Sequence, residues 1–251
     1  MLPDLSSQYV LISGAGRGLG RSVARHLARC GAIVGVSDID AATCEETAKL
    51  VRDAGGQAHA YPADLGKRAA FLDVGAAFAK VGRRIDAVVN NAAHLRYEKV
   101  DDVTAETFEK MVNVGLGGVV WGTQVLLAHY DAGRGGAIVN MASPVAYKGY
   151  PTTSVYSSIK GAVVAITHTL AAELGPRNIR VNAVAPGSVP TPGAVGLNDP
   201  AEYERRARTI PLRRLGREED NAQAIAFLLS AEASFVNGTV LHVDGGITAS
   251  M

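Results

Sequence analysis

Tyr156 and Lys160 stand four residues apart in the run Tyr156-Ser157-Ser158-Ile159-Lys160. On a helix that spacing puts both side chains on one face. A cation beside a phenol favours the phenolate and moves its pKa down from about 10. A phenol tuned in this way serves as a general acid or base. Such pairs are common on ordinary helices, so the spacing alone does not establish catalysis. A second constellation is the turn Ser13-Gly14-Ala15-Gly16-Arg17-Gly18-Leu19-Gly20. Gly14 permits a tight turn, and Gly18 and Gly20 permit close approach of backbone, ligand and helix. A helix opening here would direct free N–H groups and a positive dipole end at a phosphate. The spacing is G-x-x-x-G-x-G rather than G-x-G-x-x-G, so the strand–turn–helix context has to carry the reading. Asp38 follows Gly20 by 18 residues. A carboxylate there accepts hydrogen bonds from ribose hydroxyls and repels a 2′-phosphate. The expected cofactor is therefore NAD(H) in preference to NADP(H). Arg17 is the counter-signal, since a cation beside the ribose can pair a 2′-phosphate. Its plainer alternatives are a surface arginine, or one paired with an acid such as Asp38.

The elements that must position these groups are legible as an alternation. Short, nearly continuous apolar runs at Tyr9–Ser13, Ala32–Val36, Gln57–Tyr61, Asp86–Asn90, Ala137–Met141, Arg180–Ala185 and Val240–Val243 predict parallel strands covered on both faces. Between them, Gly18–Cys30, Ala41–Ala54, Arg68–Val81, Ala105–His129, Val155–Leu174 and Glu218–Ser230 predict helices. The alternation implies an α/β, doubly wound, seven-stranded parallel sheet with helices on both faces. Ligands bind such sheets beyond the carboxyl ends of the strands. The glycine turn, Asp38, Asp64-Leu65, Asn90-Asn91-Ala92-Ala93, Ser143 and Pro186-Gly187 all fall just after a strand.

Composition excludes several classes. Lysine and arginine number 25 against 24 acidic residues, a net charge of +1, so no broad field points to nucleic acid or an anionic membrane. No uninterrupted apolar run approaches about 18 residues, so no transmembrane helix is expected. The N-terminal residues lack a basic and an apolar region, so no signal peptide is expected, and a cytoplasmic location follows. Cys30 and Cys44 make no metal or redox spacing, and Cys30 lies in an apolar-periodic segment that suggests a buried thiol. The six histidines form no zinc pattern, and no metal is expected. No linker or charge block divides residues 1–251, which read as a single domain.

From Tyr9 to Gly246 the chain resembles the short-chain dehydrogenase/reductase superfamily in its single-domain form, with a Rossmann-type fold. The resemblance rests on Ser13-Gly14-x-x-x-Gly18-x-Gly20, Asp64-Leu65, Asn90-Asn91-Ala92, Asn113, Ser143, Tyr156, Lys160, Asn182, Pro186-Gly187 and Asp244-Gly245-Gly246. It implies that Tyr156 exchanges a proton with the substrate oxygen and that Ser143 holds that oxygen. Lys160 would bind the nicotinamide ribose and lower the Tyr156 pKa, and Asn113 would hold a water linking Lys160 to solvent. It further implies cofactor contacts from Gly14, Gly16, Arg17, Gly18, Leu19, Gly20, Asp38, Asn90, Ala92, Pro186 and Gly187. Asp64 and Leu65 would contact the adenine, and Val189 and Thr191 the nicotinamide carboxamide. Three positions depart from the family pattern: Ser13 for threonine, Ala93 for glycine, and Pro144 directly after Ser143.

The family's variable loop spans about residues 188–215 and reads as a lid followed by a short helix. Candidate substrate contacts are His94, Leu95, Pro144, Val145, Tyr150, Val195 and Leu197, together with Val189. Their apolar and aromatic character suits a small hydrophobic ketone or secondary alcohol. His94 is either a polar contact or an ordinary loop histidine. Gly161–Leu170 is apolar or small around much of its circumference, and Val112–Leu127 is similar, with Trp121 a candidate interface anchor. With the resemblance, this implies a homotetramer. The expected function is an NAD-linked alcohol dehydrogenase or ketone reductase. One rival is a 3-oxoacyl-carrier-protein reductase using NADPH, with Arg134 and Arg177 facing an acidic carrier or simply capping helix ends. The other is a non-catalytic dinucleotide-binding protein, which the complete set Asn113, Ser143, Tyr156 and Lys160 disfavours.

Overall fold

In the computed structural model, residues 2–192 and 200–250 are described. Seven strands form one sheet: β1 (Tyr9–Ser13), β2 (Ile33–Asp38), β3 (Gln57–Pro62), β4 (Ala87–Asn90), β5 (Gly136–Met141), β6 (Ile179–Pro186) and β7 (Val240–Val243). Every pairing is parallel, in the order β3-β2-β1-β4-β5-β6-β7. The order reverses between β1 and β4, which opens a crevice at their carboxyl ends.

Alternation along each strand builds two core layers. Val10 and Ile12 of β1, with Val89 of β4 and Val139 of β5, join the layer under α1 (Gly18–Arg29), α2 (Ala41–Asp53) and α8 (Glu218–Leu229). Leu11, Val88 and Ile138 point the other way, into the layer under α3 (Arg68–Gly82) and α5 (Gly118–His129). A third cluster joins Val163 and Ile159 of α6 (Ser154–Leu174) to Ala183 and Ala185 of β6. Residues such as Phe71, Phe78 and Leu126 are fully buried. At about 1.5–3 kcal/mol for each large apolar side chain, these layers hold the sheet and leave the strand ends free for polar groups. Cys30 is a buried free thiol, as expected, and so is Cys44.

One predicted helix differs. The stretch Ala105–His129 is not a single α-helix: α4 (Ala105–Val112) passes through a π-helical turn at Asn113–Gly117 before α5 begins. The Gly118 N–H reaches back to the Asn113 carbonyl, one residue further than in an α-helix. Within the widened turn Gly115 packs closely on α6, where a Cβ would lie 2.9 Å from Ile159. By length and a mean hydropathy of 1.4 this stretch could cross a membrane, yet α5 packs on α3 and β4, and α4 on α6. The short helix expected within the variable loop is present as α7 (Pro200–Thr209).

Candidate active site

The glycine turn joins β1 to α1 as the sequence suggests. Gly14 and Gly18 adopt φ of +64° and +59°, the left-handed region that favours glycine. A Cβ on Gly14 would lie 2.7 Å from Ala92 Cα, and one on Gly20 only 2.1 Å from the Gly14 carbonyl. The turn is pinned from β4. Ser13 Oγ accepts from the Asn91 and Ala92 amides at 2.9 and 3.0 Å. The Asn91 side chain donates to the Ser13 and Gly14 carbonyls at 3.0 and 2.8 Å. The hydroxyl at 13 thus does the work whether serine or threonine carries it. Thr191 lies over the turn, its Cβ 3.4 Å from where a Gly18 Cβ would sit, and Val189 is buried beside it in sequence. A glycine-lined turn too tight for side chains, opening a helix N-terminus, fits a dinucleotide pyrophosphate.

Asp38 ends β2 beside this turn, and its Oδ2 accepts from the Gly16 amide at 2.8 Å. Arg17 is exposed and pairs with no acid among the described residues, so the pairing with Asp38 does not form. Leu19 and Leu65 turn their side chains into the core layers, which leaves mainly backbone to offer a ligand. Asp64 caps its own turn through the Gly66 amide at 3.1 Å. Pro186 ends β6 and Gly187 follows it, with the Gly187 amide bonded to the Val243 carbonyl at 3.0 Å.

Ser143, Tyr156 and Lys160 converge at the end of β5. Ser143 is buried at the start of a 3-10 turn, Pro144–Ala146. Pro144 takes the first position of that turn, where no N–H is needed, so this departure from the family pattern costs no hydrogen bond. Tyr156 and Lys160 share a face of α6, with the Lys160 ammonium 5.7 Å from the Tyr156 ring centre. Lys160 is 5% exposed and its Nζ donates to the Met141 carbonyl at 2.5 Å.

The electrostatics correct one expectation. Tyr156 is not lowered; its pKa is pushed up to about 12, first by burial and then by neighbouring Tyr97. The Ser143 hydroxyl, hydrogen-bonding the phenol, acts in the opposite sense and is outweighed. Burial pulls Lys160 down to about 8. Spacing revealed the pair, but desolvation of both groups decides the balance. Tyr97, which packs edge-on against Tyr156 with ring centres 6.0 Å apart, escaped the sequence reading.

Asn113 opens the π turn that Gly115 seats against Ile159, one residue from Lys160; its side chain is exposed and has no hydrogen-bond partner among the described residues. Asn90 donates to Asn140 at 2.9 Å, and Asn140 to Thr167 at 3.0 Å, a buried polar chain from β4 through β5 to α6. Neither Asn140 nor Thr167 was singled out by sequence. Asn182 ties β6 to the connection before β7, accepting from Thr239 and donating to the Val236 carbonyl.

Of the pocket candidates, His94, Leu95 and Val145 are half-buried, Pro144 is buried and Tyr150 is exposed. Burial and the nearby Lys110 and Arg96 lower the His94 pKa. Val195 and Leu197 lie outside the described residues. Ala93 takes no left-handed backbone, so its methyl strains nothing there. A cavity of about 670 Å³ opens beside β7, but Ser143, Tyr156 and Lys160 do not line it. Among the described residues no cluster of three or more His, Cys, Asp or Glu could hold a metal.

The assembly cues are partly spent within the chain. Trp121 is half-buried in the α3–α5 layer and covered by Arg68, 5.7 Å from its ring centre. Within one chain α6 is not buried all round: Val163 and Thr167 are covered, while Ala165 and His168 face out and a side chain at Gly161 would meet open space.

Residues 14–248 match the family model described as Enoyl-(Acyl carrier protein) reductase. The chain is 34% identical to 2-(S)-hydroxypropyl-CoM dehydrogenase 3 of Xanthobacter autotrophicus, over 98% of each chain. It is 36% identical to the 3-oxoacyl-[acyl-carrier-protein] reductase of Thermotoga maritima, over 97% of this chain and 98% of that one. Among solved structures, a 7α-hydroxysteroid dehydrogenase complexed with NADH and 7-oxo glycochenodeoxycholic acid superposes with a TM-score of 0.93 at 30% identity, covering 97% and 95% of the two chains. A gluconate 5-dehydrogenase from Burkholderia cenocepacia, in complex with NADP and tartrate, gives 0.92 at 31%, covering 99% and 98%. With the sheet order, the glycine turn and the Ser143–Tyr156–Lys160 cluster, these matches make the chain a member of the short-chain dehydrogenase/reductase superfamily, an NAD(P)-dependent oxidoreductase acting on alcohols and ketones.

Proposed function

We propose that the enzyme interconverts small, hydrophobic secondary alcohols and their ketones using NAD(H). The observation that carries the cofactor choice is Asp38: its carboxylate closes the turn at the end of β2, where a 2′-phosphate would meet a negative charge. Gly14, Gly18 and Gly20 hold the pyrophosphate against the start of α1. Asp64 and the Leu65 backbone flank the adenine, Asn90 and Ala92 support the cofactor from β4, and Val189 and Thr191 orient the carboxamide. The nicotinamide supplies or accepts the hydride; the protein positions the reactants and moves the proton.

Ser143 holds the substrate oxygen, and Tyr156 gives that oxygen a proton in reduction or removes it in oxidation. A Tyr156 phenol raised by burial is protonated at neutral pH, the form that reduction consumes. Lys160, fixed by Met141, binds the nicotinamide ribose, and Asn113 at the π turn relays the proton through water. Leu95, Pro144 and Val145 give the substrate side its apolar character, and the 2-hydroxypropyl compound in one relative's name is itself a secondary alcohol.

The likeness to a 3-oxoacyl-carrier-protein reductase favours a second reading, with NADPH and an acyl thioester. Its carrier-facing arginines are otherwise engaged: Arg134 lies 3.6 Å from Asp86, and Arg177 stacks on Tyr130 at 5.1 Å. Both precede a strand, at the end of the sheet opposite Ser143. Turnover of a ketone panel and a 3-oxoacyl thioester with each cofactor separates the two; faster thioester reduction with NADPH rejects the first. An Asp38→Ala variant should narrow the preference for NADH, and an unchanged preference contradicts the role given to Asp38. The open, small-residue face of α6 around Gly161 and Ala165 supports a homotetramer, and a monomer by light scattering at micromolar concentration defeats it.

A further inference from the structure

Gly16 is gripped through both of the peptide units that meet at its Cα. Its N–H donates to Asp38 Oδ2 at 2.8 Å. Its carbonyl accepts from Arg21 Nε at 2.9 Å, from Arg21 Nη2 at 2.5 Å and from Thr47 Oγ1 at 3.1 Å. Arg21 is itself held: Nε also donates to Thr47 Oγ1 at 2.9 Å, and Nη2 pairs with Glu46 at 2.6 Å. The side chain is 23% exposed, and Thr47 is fully buried in α2.

This arrangement runs against the simplest use of an arginine at this place. Arg21 lies at the N-terminal end of α1, where the helix dipole disfavours a cation and where a free guanidinium would meet the cofactor phosphates. Instead its fork turns toward α2, and its charge is spent on Glu46 and on a backbone carbonyl. There is no slack between this peptide and Asp38, since a Cβ on Gly16 would lie 2.8 Å from Asp38 Cγ and 2.6 Å from Thr43 Oγ1. The two peptide planes that meet at the Gly16 Cα are thereby both held, the second by Arg21 and Thr47 and the first by one oxygen of Asp38. The other oxygen, Oδ1, meets only the Asp40 amide at 3.2 Å, on the exposed side.

We infer that Arg21, with Thr47, is a positioning residue for cofactor selection: by holding the Gly16 carbonyl it steadies the backbone on both sides of the Gly16 Cα, so that Asp38, bonded to the Gly16 N–H, presents a fixed carboxylate to the adenosine ribose. The inference rests on the NAD(H) reading given above. Without the lock, Asp38 can rotate away. Attraction to a ribose diol weakens, and so does repulsion of a 2′-phosphate, so the two cofactors respond in opposite senses. A merely structural loss would weaken both together.

The test measures Kd for NADH and NADPH by nucleotide fluorescence in the full-length enzyme, together with kcat and KM. The variants are Arg21→Met, which keeps the stem and removes the donors, Arg21→Lys, and Thr47→Val. The expected result for Arg21→Met is an NADH Kd raised about tenfold, the scale of one charge-assisted hydrogen bond. The NADPH Kd should stay level or fall, and the loss in Kd should exceed any loss in kcat. Arg21→Lys should recover part of the preference, and Thr47→Val should shift it in the same direction by less, which keeps the inference testable if Arg21→Met folds poorly. A parent that prefers NADH, with variants whose preference is unchanged or whose affinities fall equally, overturns the inference alone. A parent that prefers NADPH overturns the cofactor reading, and the inference with it.

Discussion

Replacing Lys160 with methionine should stabilise the protein while removing its activity. Lys160 is 5% exposed, and burial alone draws its pKa from the ordinary 10.5 to about 8. The gap of 2.5 between those values, at about 1.36 kcal/mol for each pH unit, amounts to about 3.4 kcal/mol of penalty for holding an ammonium there. Because the folded pKa is depressed, the unfolded chain binds the extra proton, so the penalty is full below pH 8 and gone above pH 10.5. Linkage puts it at about 3.3 kcal/mol at pH 7 and about 1.4 kcal/mol at pH 9.5. Methionine fills similar space without charge, but the Met141 carbonyl loses its donor, which costs back about 1 kcal/mol. The Lys160→Met protein should therefore exceed the parent by about 2 kcal/mol at pH 7 and match it near pH 9.5. Urea denaturation of both proteins at the two pH values measures this. A variant less stable than the parent at pH 7, or a difference that does not shrink as pH rises, would refute the reasoning.

Four other outcomes are expected. Tyr156→Phe should lower turnover by about 10²–10⁴-fold with NADH affinity unchanged, as measured by steady-state kinetics and fluorescence titration. In the parent, a phenol with a pKa near 12 implies that reduction holds its rate from pH 7 to 9 while oxidation climbs with phenolate, about tenfold per pH unit; a flat oxidation profile contradicts the assignment. Gly14→Ala should lose NADH binding and lower the melting temperature, since the left-handed backbone alone costs about 1–2 kcal/mol and the methyl would press on Ala92. Thr167→Val should cost about 1–3 kcal/mol in chemical denaturation by stranding the buried Asn140 amide.

What the sequence revealed followed from constraints that act locally. Strands buried on both faces must be continuously apolar, so Val10, Leu11 and Ile12 announce β1 and its place inside the sheet. A turn that admits no Cβ must be glycine, so Gly14 and Gly20 were visible as a site. Tyr156 and Lys160 were visible as a pair because a helix converts spacing into direction. The direction of their pKa shifts was hidden, because desolvation depends on what surrounds α6 rather than on the four residues between them. Arg21 and Thr47 were hidden for a related reason. Each reaches a backbone carbonyl, which has no side-chain signature, and one of the two comes from a different helix. Tyr97 sits in an irregular segment with no period to read. The π turn left no mark either, since nothing in the residues Asn113–Gly117 distinguishes it from an ordinary helix.

That turn acts as a phase shifter. An α-helix advances about 100° per residue, so one surplus residue rotates everything before it relative to everything after it by about that angle. The stretch Ala105–His129 therefore carries two separate helical wheels, and a single wheel drawn through both blurs each. It also makes chain length here a control on geometry: deleting one residue between Asn113 and Gly117 would leave α5 seated on α3 but swing Thr104–Val112 round the axis. Relatives that gain or lose a residue at this point would change which side chains of α4 look toward the catalytic helix, without altering a single residue of either.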